Sequence, residues 1–372
     1  MIYLDSGATS FKKPASVARA VAWAMANCAN PGRGGYRPAM AAAEAVFRCR
    51  REAGLLFSLP PEQVVFTMNC TQGLNMAIRT LVKPGDRVLI SGFEHNAVTR
   101  PLRALGAEVL VAGRRLFDWE DTLGDWERNL KKGPKAAVFT QVSNVFGYIL
   151  PTKQMAELCR KYHVPFVIDA AQGAGAVDLS MEDLGADFAA MPGHKGLLGP
   201  QGTGLLLCGR TPEPLLYGGT GSLSRQQEMP EFLPDRAEAG TLNVPGICGL
   251  LAGIRFVRQT GPGNLLAREA AQVQRAGRGL QRLGFRTFLG PHQGGTLSFV
   301  TKDCEETARY LGELGICTRA GLHCAPLAHG SAGTLETGTV RVSYGIDASH
   351  RQTTALLEAL GRAQTRRGSG GF

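Results

Sequence analysis

V-I-D-A-A-Q (residues 167–172) and M-P-G-H-K-G-L-L-G-P (residues 191–200) decide how the chain is read. An apolar run from Val164 to Ile168, interrupted only by Pro165, stops at Asp169. A second run, Phe188 to Met191, stops at Pro192-Gly193-His194-Lys195. These are two buried strands that each end on a charged side chain, and an isolated buried carboxylate or ammonium is costly unless paired. One resolution is a structural Asp–Lys ion pair at a sheet edge. The other is a ligand that wants one acid and one amine. A pyridoxal phosphate ring is such a ligand, taking the lysine as an imine and the carboxylate opposite its pyridinium nitrogen.

Outward from this stretch, short apolar strands alternate with amphipathic helices. Strands are expected at 64–67, 87–91, 108–111, 136–140, 165–169, 188–191 and 204–208, with helical patterns at 71–81, 96–105 and 151–161. Such alternation predicts an α/β fold with a mostly parallel sheet covered by helices. Ligands of these sheets sit beyond the carboxyl ends of the strands. Thr71, His95, Asn144, Asp169 and Lys195 all fall at or just after strand ends, so one shared crevice is expected. Upstream, Pro14 opens a helix to Asn27, Asn30–Gly35 is a loop by its three glycines and proline, and Ala39–Phe57 is helical by composition. Downstream, 215–245 is an irregular crossing segment. Helices at 246–259, 263–283, 304–314 and 351–362 and strands at 285–289, 296–300 and 340–343 then suit a small α+β domain. The expected division is a large cofactor-binding domain at 12–245, a small domain from 1–11 and 246–365, and a flexible tail at 366–372.

The 372 residues carry 44% hydrophobic and 19% charged side chains, enough for a substantial core and against disorder. The net charge of +10 is scattered, with no basic stripe interleaved with aromatics, so nucleic-acid binding is not expected. Anionic metabolites or an acidic partner suit the charge better. Nine cysteines without a C-x-x-C pair fit a reducing cytoplasm. The opening M-I-Y-L-D-S-G-A-T has no basic segment followed by an apolar one, and no apolar run approaches ~20 residues. Neither a secretory signal nor a membrane span is expected.

Thr71-Gln72-Gly73 opens a helix after a strand, where free amides and the helix dipole suit a phosphate, although threonine there also serves as an ordinary N-cap. His95 follows the next strand and suits stacking or proton transfer, or is simply a satisfied polar residue. In R-A-G-L-H-C-A-P (319–326), Cys324 lies beside histidine and near arginine, the setting of a thiolate nucleophile; a half-buried structural cysteine is the alternative. Zinc is disfavoured because no second Cys or His pair completes four ligands. Arg341 in T-V-R-V-S needs a partner, either a substrate carboxylate gripped bidentately or a structural salt bridge.

Together, Y-L-D-S-G-A-T, E-H-N-A-V, S-N-V-F-G, D-A-A-Q, G-H-K, E-A-G-T, R-A-G-L-H-C-A-P and R-V-S-Y-G, in this order, resemble the class V family of pyridoxal-phosphate enzymes, and within it the cysteine desulfurases. The resemblance spans nearly the whole chain. It implies the fold type I architecture of such transferases: a mostly parallel seven-stranded sheet with helices on both faces plus a small C-terminal α+β domain. It also implies roles. Lys195 would carry the cofactor and move protons, Asp169 would face the pyridine nitrogen, and His95 would stack on the ring. Gln172 and Asn144 would approach the ring oxygen. Thr71, Gln72 and His194 would bind the phosphate, with Thr241 reaching that of a neighbouring subunit in a homodimer. Arg341, with Arg319 and Asn144, would take the substrate carboxylate, and Cys324 would accept sulfur from L-cysteine as a persulfide, leaving alanine. Cys324 and Arg341 lie 17 positions apart, which resembles desulfurases with a short catalytic loop that pass sulfur to a separate acceptor protein in iron–sulfur cluster assembly. It equally resembles selenocysteine lyases; a class V transaminase or epimerase, or a non-catalytic sulfur-relay protein, are the remaining alternatives. Ser6-Gly7, Cys70 and Tyr148 depart from the family pattern, and Tyr148 is expected to narrow the pocket.

Overall fold

The computed structural model describes residues 1–32 and 34–366. Its largest sheet has seven strands, ordered edge to edge as Val64–Thr67, Gly204–Cys208, Phe188–Pro192, Phe166–Asp169, Ala136–Thr140, Arg87–Ser91 and Glu108–Ala112. Gly204–Cys208 runs antiparallel to both neighbours; the other pairings are parallel. Because strand side chains alternate between faces, each strand feeds two cores. Phe139, Phe166, Ile168, Ala189, Leu205 and Leu207 enter one. Val138, Val167, Phe188, Ala190, Leu206 and Cys208 enter the other. Helices Arg37–Phe57, Trp119–Leu130, Thr152–Lys161 and Val244–Thr260 cover the first core, and Cys70–Leu81 with Asn96–Ala104 cover the second. Continuous apolar runs such as F-V-I are what a doubly covered strand requires.

Helix Trp119–Leu130 is absent from the sequence reading. Its D-W-E-D-T-L-G-D-W-E stretch is dominated by acids and holds Gly124, which mask the apolar spacing of Trp119, Leu123, Trp126 and Leu130. The signal was at its start: Asp118 caps the helix by accepting from Asp121 N–H at 2.9 Å, with Glu120 and Asp121 in the first turn.

A second sheet of four antiparallel strands is ordered Arg319–Gly321, Thr339–Ser343, Thr296–Phe299, Thr287–Phe288. Helices Pro262–Arg282, Cys304–Glu313 and His350–Arg366 pack beside it around Leu280, Leu297, Phe299, Leu311, Val342 and Leu360. The N-terminus joins this unit: Ile2–Tyr3 pairs in parallel with Ile316–Cys317, and Leu4 is fully buried there. The Cys324 segment is not all loop, as the sequence suggested. Arg319–Gly321 is a strand and Pro326–Ala332 a helix, so 322–325 is a tight turn between two anchored elements. Between Cys208 and Val244 the chain has no helix or strand. Residues 367–372, most of the expected tail, lie outside the described residues.

Candidate active site at the strand ends

A cleft opens at the carboxyl ends of the parallel strands, where ligands of such sheets sit. Thr71, His95, Asn144, Asp169, Gln172, His194 and Lys195 all line it. Asp169 ends Phe166–Asp169 and is 2% exposed. Its Oδ1 accepts from Ala171 N–H at 2.9 Å and from the Cys70 thiol at 3.5 Å. Burial, then Asp169, pushes the Cys70 thiol well above its ordinary range, so Cys70 stays a neutral donor to that carboxylate. Oδ2 keeps no hydrogen-bond partner among the described residues and is the oxygen left for a ligand. Lys195 sits in the turn after Phe188–Pro192. Burial first and Arg341 second lower its pKa, against the opposing pull of Asp169. A buried amine with a lowered pKa keeps a larger neutral, nucleophilic fraction.

His95 is the N-cap of Asn96–Ala104, where its Nδ1 accepts from Ala97 N–H at 3.0 Å. That bond fixes the tautomer, so in the neutral ring the proton is on Nε2. Burial lowers its pKa and keeps the ring neutral, with Asp169 acting in the opposite sense. His194 Nδ1 pairs with Thr9 Oγ1 at 3.0 Å, and burial with Lys195 and Lys13 brings its pKa down to about 4. Gln172 donates to Gly7 O at 2.9 Å, tying the cleft to the N-terminal segment.

Two expectations at the phosphate end change. The helix here starts at Cys70 and its cap is Asn69, which accepts from Gln72 N–H at 3.0 Å, so Thr71 is inside the first turn and not the cap. The Gln72 side chain turns back to accept from Met68 N–H at 2.7 Å and does not line the cleft. Thr241 borders a different depression, with Phe47, Arg50 and Glu238. Tyr148 does not narrow the cleft. It is fully buried, its hydroxyl lies 3.1 Å from Thr122 Oγ1, and its ring meets Phe93 and Phe117 edge-on.

Cys324 is exposed, and both it and His323 have left-handed backbone angles, φ 57 and 49. The turn is held at both ends, since Cys324 O accepts from Asn96 N–H at 2.8 Å and His323 O accepts from Asn144 Nδ2 at 2.7 Å. Through these bonds Asn144 and the helix bearing His95 position the thiol at the rim. Cys324 lines a groove that shares Thr71, His95 and Ala97 with the cleft. The neighbouring histidine is not a charged helper. His323 is buried, its Nε2 lies 3.2 Å from Thr339 O and Oγ1, and burial with Arg341 pushes its pKa down to about 2.

The sequence reading missed Asp5. This carboxylate, 8% exposed, pairs with both Arg341 (2.8 Å) and Arg319 (2.8 Å). Arg341, 3% exposed, also donates to Asn144 O at 3.0 Å, while its Nε has no partner. Arg319 is half exposed, and its Nε and Nη2 both donate to Asp5. Glu94 was missed too: fully buried, it accepts from the Ser91 hydroxyl and, at 2.9 Å, from Thr140 N–H, while Oε2 is unpartnered. Burial raises its pKa to about 8. Adjacency to His95 in E-H-N was the available signal for Glu94, and for Asp5 an acid closing the apolar run Ile2–Leu4. Among the described residues no His, Cys, Asp and Glu group could hold a metal, and no helix is long and apolar enough to cross a membrane.

The donor set fits an aromatic ring with a basic nitrogen and a reactive carbonyl: one acid with a free oxygen, one amine, and one neutral imidazole with an outward N–H. Comparison with known proteins gives the family. The family model for aminotransferase class-V matches residues 2–356. A probable cysteine desulfurase of Methanothermobacter thermautotrophicus is 31% identical over 376 residues, covering 96% of this chain and 94% of that protein. The apo structure of cysteine desulfurase from Thermococcus onnurineus NA1 superposes with a TM-score of 0.89 at 30% identity, over 97% of this chain and 94% of the other. An Escherichia coli cysteine desulfurase in its S-sulfonic acid form gives a TM-score of 0.82 at 25% identity, over 97% and 94%. Strand order, cleft residues and sequence thus lead to one conclusion: the chain belongs to the aminotransferase class-V family.

Proposed function

We propose that the chain is a pyridoxal-phosphate-dependent cysteine desulfurase that converts L-cysteine to L-alanine and takes the sulfur on Cys324 as a persulfide. The observation that carries this reading is an exposed cysteine at the rim, sharing Thr71 and His95 with the cleft that holds Lys195 and Asp169. When bound, the cofactor supplies an electron sink for negative charge at the substrate Cα. Asp169 Oδ2 would face the ring nitrogen and keep it protonated, with the Cys70 thiol keeping Oδ1 occupied. Lys195 would hold the cofactor through its amine, and that amine, when free, would move the proton at the substrate Cα. Asn144 would face the ring oxygen, and Thr71 and His194 would hold the phosphate. His95, neutral with its proton on Nε2, offers that proton near the substrate sulfur. Arg341 does not line the cleft as it stands, but its buried Nε is unpartnered and would be the donor for a substrate carboxylate, with Nη2 held by Asp5 and Nη1 by Asn144 O. Cys324, as a thiolate, would attack the substrate sulfur: the S–S bond forms as the carbon–sulfur bond breaks, the bonding pair stays with the substrate Cβ, and that carbon takes up a proton and leaves as the methyl group of alanine.

We also place the domain boundary near Gly261 instead of between 245 and 246, because Val244–Thr260 buries Ile247, Leu250 and Ile254 in a core of the large sheet. A homodimer accounts for Met40, Phe47 and Leu55, exposed apolar residues of helix Arg37–Phe57, and for Thr241, which borders the same depression as Phe47; sedimentation at twice the chain mass would support it. The reading of the reaction is tested with purified protein loaded with pyridoxal phosphate. One alanine per cysteine consumed is expected, with turnover dependent on an added thiol. Pyruvate and ammonia as products would overturn it.

A further inference from the structure

Cys324 stands at one end of an open groove of about 700 Å³ that borders helices Cys70–Leu81 and Asn96–Ala104. Arg79, in the last turn of the first helix, and Arg100, in the second, both line it. Both are exposed, and neither is ion-paired with any described residue. Several other exposed arginines, among them Arg19, Arg51, Arg103 and Arg114, also form no ion pair with a described residue; what sets Arg79 and Arg100 apart is that both line the same groove as Cys324. No carboxylate lines the groove, whose other polar walls include Thr71, Asn75 and Asn96. Two guanidinium groups without an ion-pair partner therefore line the same open groove as the one exposed thiol among the described residues.

We propose that this groove is the binding site of the sulfur acceptor, and that the acceptor is a small thiol bearing carboxylate groups, gripped by Arg79 and Arg100. The guanidinium fork matches a carboxylate in geometry and charge, and the acceptor's thiolate then meets the outer sulfur of the Cys324 persulfide. The step balances without an added oxidant. The acceptor thiolate attacks the outer sulfur, the Cys324 S–S bond breaks, Cys324 leaves as a thiolate, and the acceptor carries away the sulfur as its own persulfide. This rests on the desulfurase reading above, so the test has one arm that needs no turnover.

In that arm, the cofactor-loaded protein is alkylated with iodoacetate or iodoacetamide, and the rate at Cys324 is read by mass spectrometry. The ratio of anionic to neutral reagent should exceed that of free glutathione by roughly fivefold for each arginine. It should fall to the glutathione ratio in Arg79→Ala/Arg100→Ala and persist in Arg79→Lys/Arg100→Lys. In the second arm, protein loaded with sulfur from cysteine is offered mercaptosuccinate or 2-mercaptoethanol, with rates compared at equal thiolate concentration. Mercaptosuccinate should be favoured, and the double alanine variant should erase the preference. Equal ratios at Cys324 and glutathione would overturn the anion site. A preference in alkylation but none for mercaptosuccinate, or faster transfer to a cysteine peptide flanked by aspartates, would overturn the small acceptor. If Cys324 takes up no sulfur while the alkylation preference remains, the desulfurase reading fails and the acceptor role falls with it, while the anion-binding groove stands.

Discussion

Asp169 is 2% exposed and ends a strand held on both sides by parallel neighbours, whereas Cys324 is exposed in a turn between two small elements. The two groups belong to different sheets, and the N-terminal segment and Asn144 stitch those sheets together. Burial at the strand ends does the electrostatic work: it lowers the Lys195 amine, keeps His95 neutral and holds the Cys70 thiol protonated. At the rim the thiol of Cys324 is exposed even though its neighbour His323 is buried, so geometry does the work there, through hydrogen bonds to the carbonyls of His323 and Cys324. A cofactor that stays needs a dry, fixed seat, and a sulfur that must leave needs an open one.

Lys195→Ala should have the largest effect, slowing alanine formation on the order of 10³-fold or more and abolishing the visible absorbance of the bound cofactor. A variant that kept both would break the contrast, since the buried end would then be dispensable. Next is Asp5→Ala, which strands a 3% exposed guanidinium. Breaking such a buried pair costs ~3–5 kcal/mol, read as a lowered melting temperature together with a raised KM for cysteine. The half-exposed side of the same carboxylate behaves differently: Arg319→Ala should cost below ~1 kcal/mol.

Glu94 sharpens the electrostatic half of the comparison. Its folded pKa is raised from 4.5 to about 8, so the folded protein holds that proton more tightly than the unfolded chain. The contribution is complete below pH 4.5 and is lost as pH climbs toward 8, at a slope of at most ~1.4 kcal/mol per pH unit. Glu94→Gln removes the titration, so its stability relative to the parent should improve between about pH 4.5 and pH 8 and level off above that. A pH-independent difference between the two would contradict the burial argument. A similarly small effect is expected from Gln72→Ala: a loss of ~0.5–1.5 kcal/mol for the bond to Met68 N–H, with cofactor affinity unchanged.

The central strands were legible because each is covered on both faces and therefore reads as an unbroken apolar run ending where solvent and ligand begin; only the edge strand Glu108–Ala112 of the large sheet carries exposed residues. That is why Asp169 and Lys195 could be placed in one crevice from sequence. Helix Trp119–Leu130 was not legible because its exposed face is so acidic that the buried tryptophan spacing is diluted. The side-chain directions of Gln72 and Tyr148 depend on which neighbour offers the better contact, Met68 N–H for one and the Phe93–Phe117 pair for the other. Periodicity carries no such information. Asp5 escaped notice for a related reason: its importance lies in two arginines more than 300 residues away, a pairing that only the N-terminal strand's docking beside Ile316–Cys317 reveals.

The central claim is that sulfur leaves cysteine at the buried end and arrives at the exposed one. Mass spectrometry of the cofactor-loaded protein after brief exposure to L-cysteine, without added thiol, tests it directly. One extra sulfur on the peptide containing Cys324 is predicted in the parent, and none in Lys195→Ala. An unmodified Cys324 peptide in a parent that produces alanine, or equal labelling with Lys195 removed, would contradict the account.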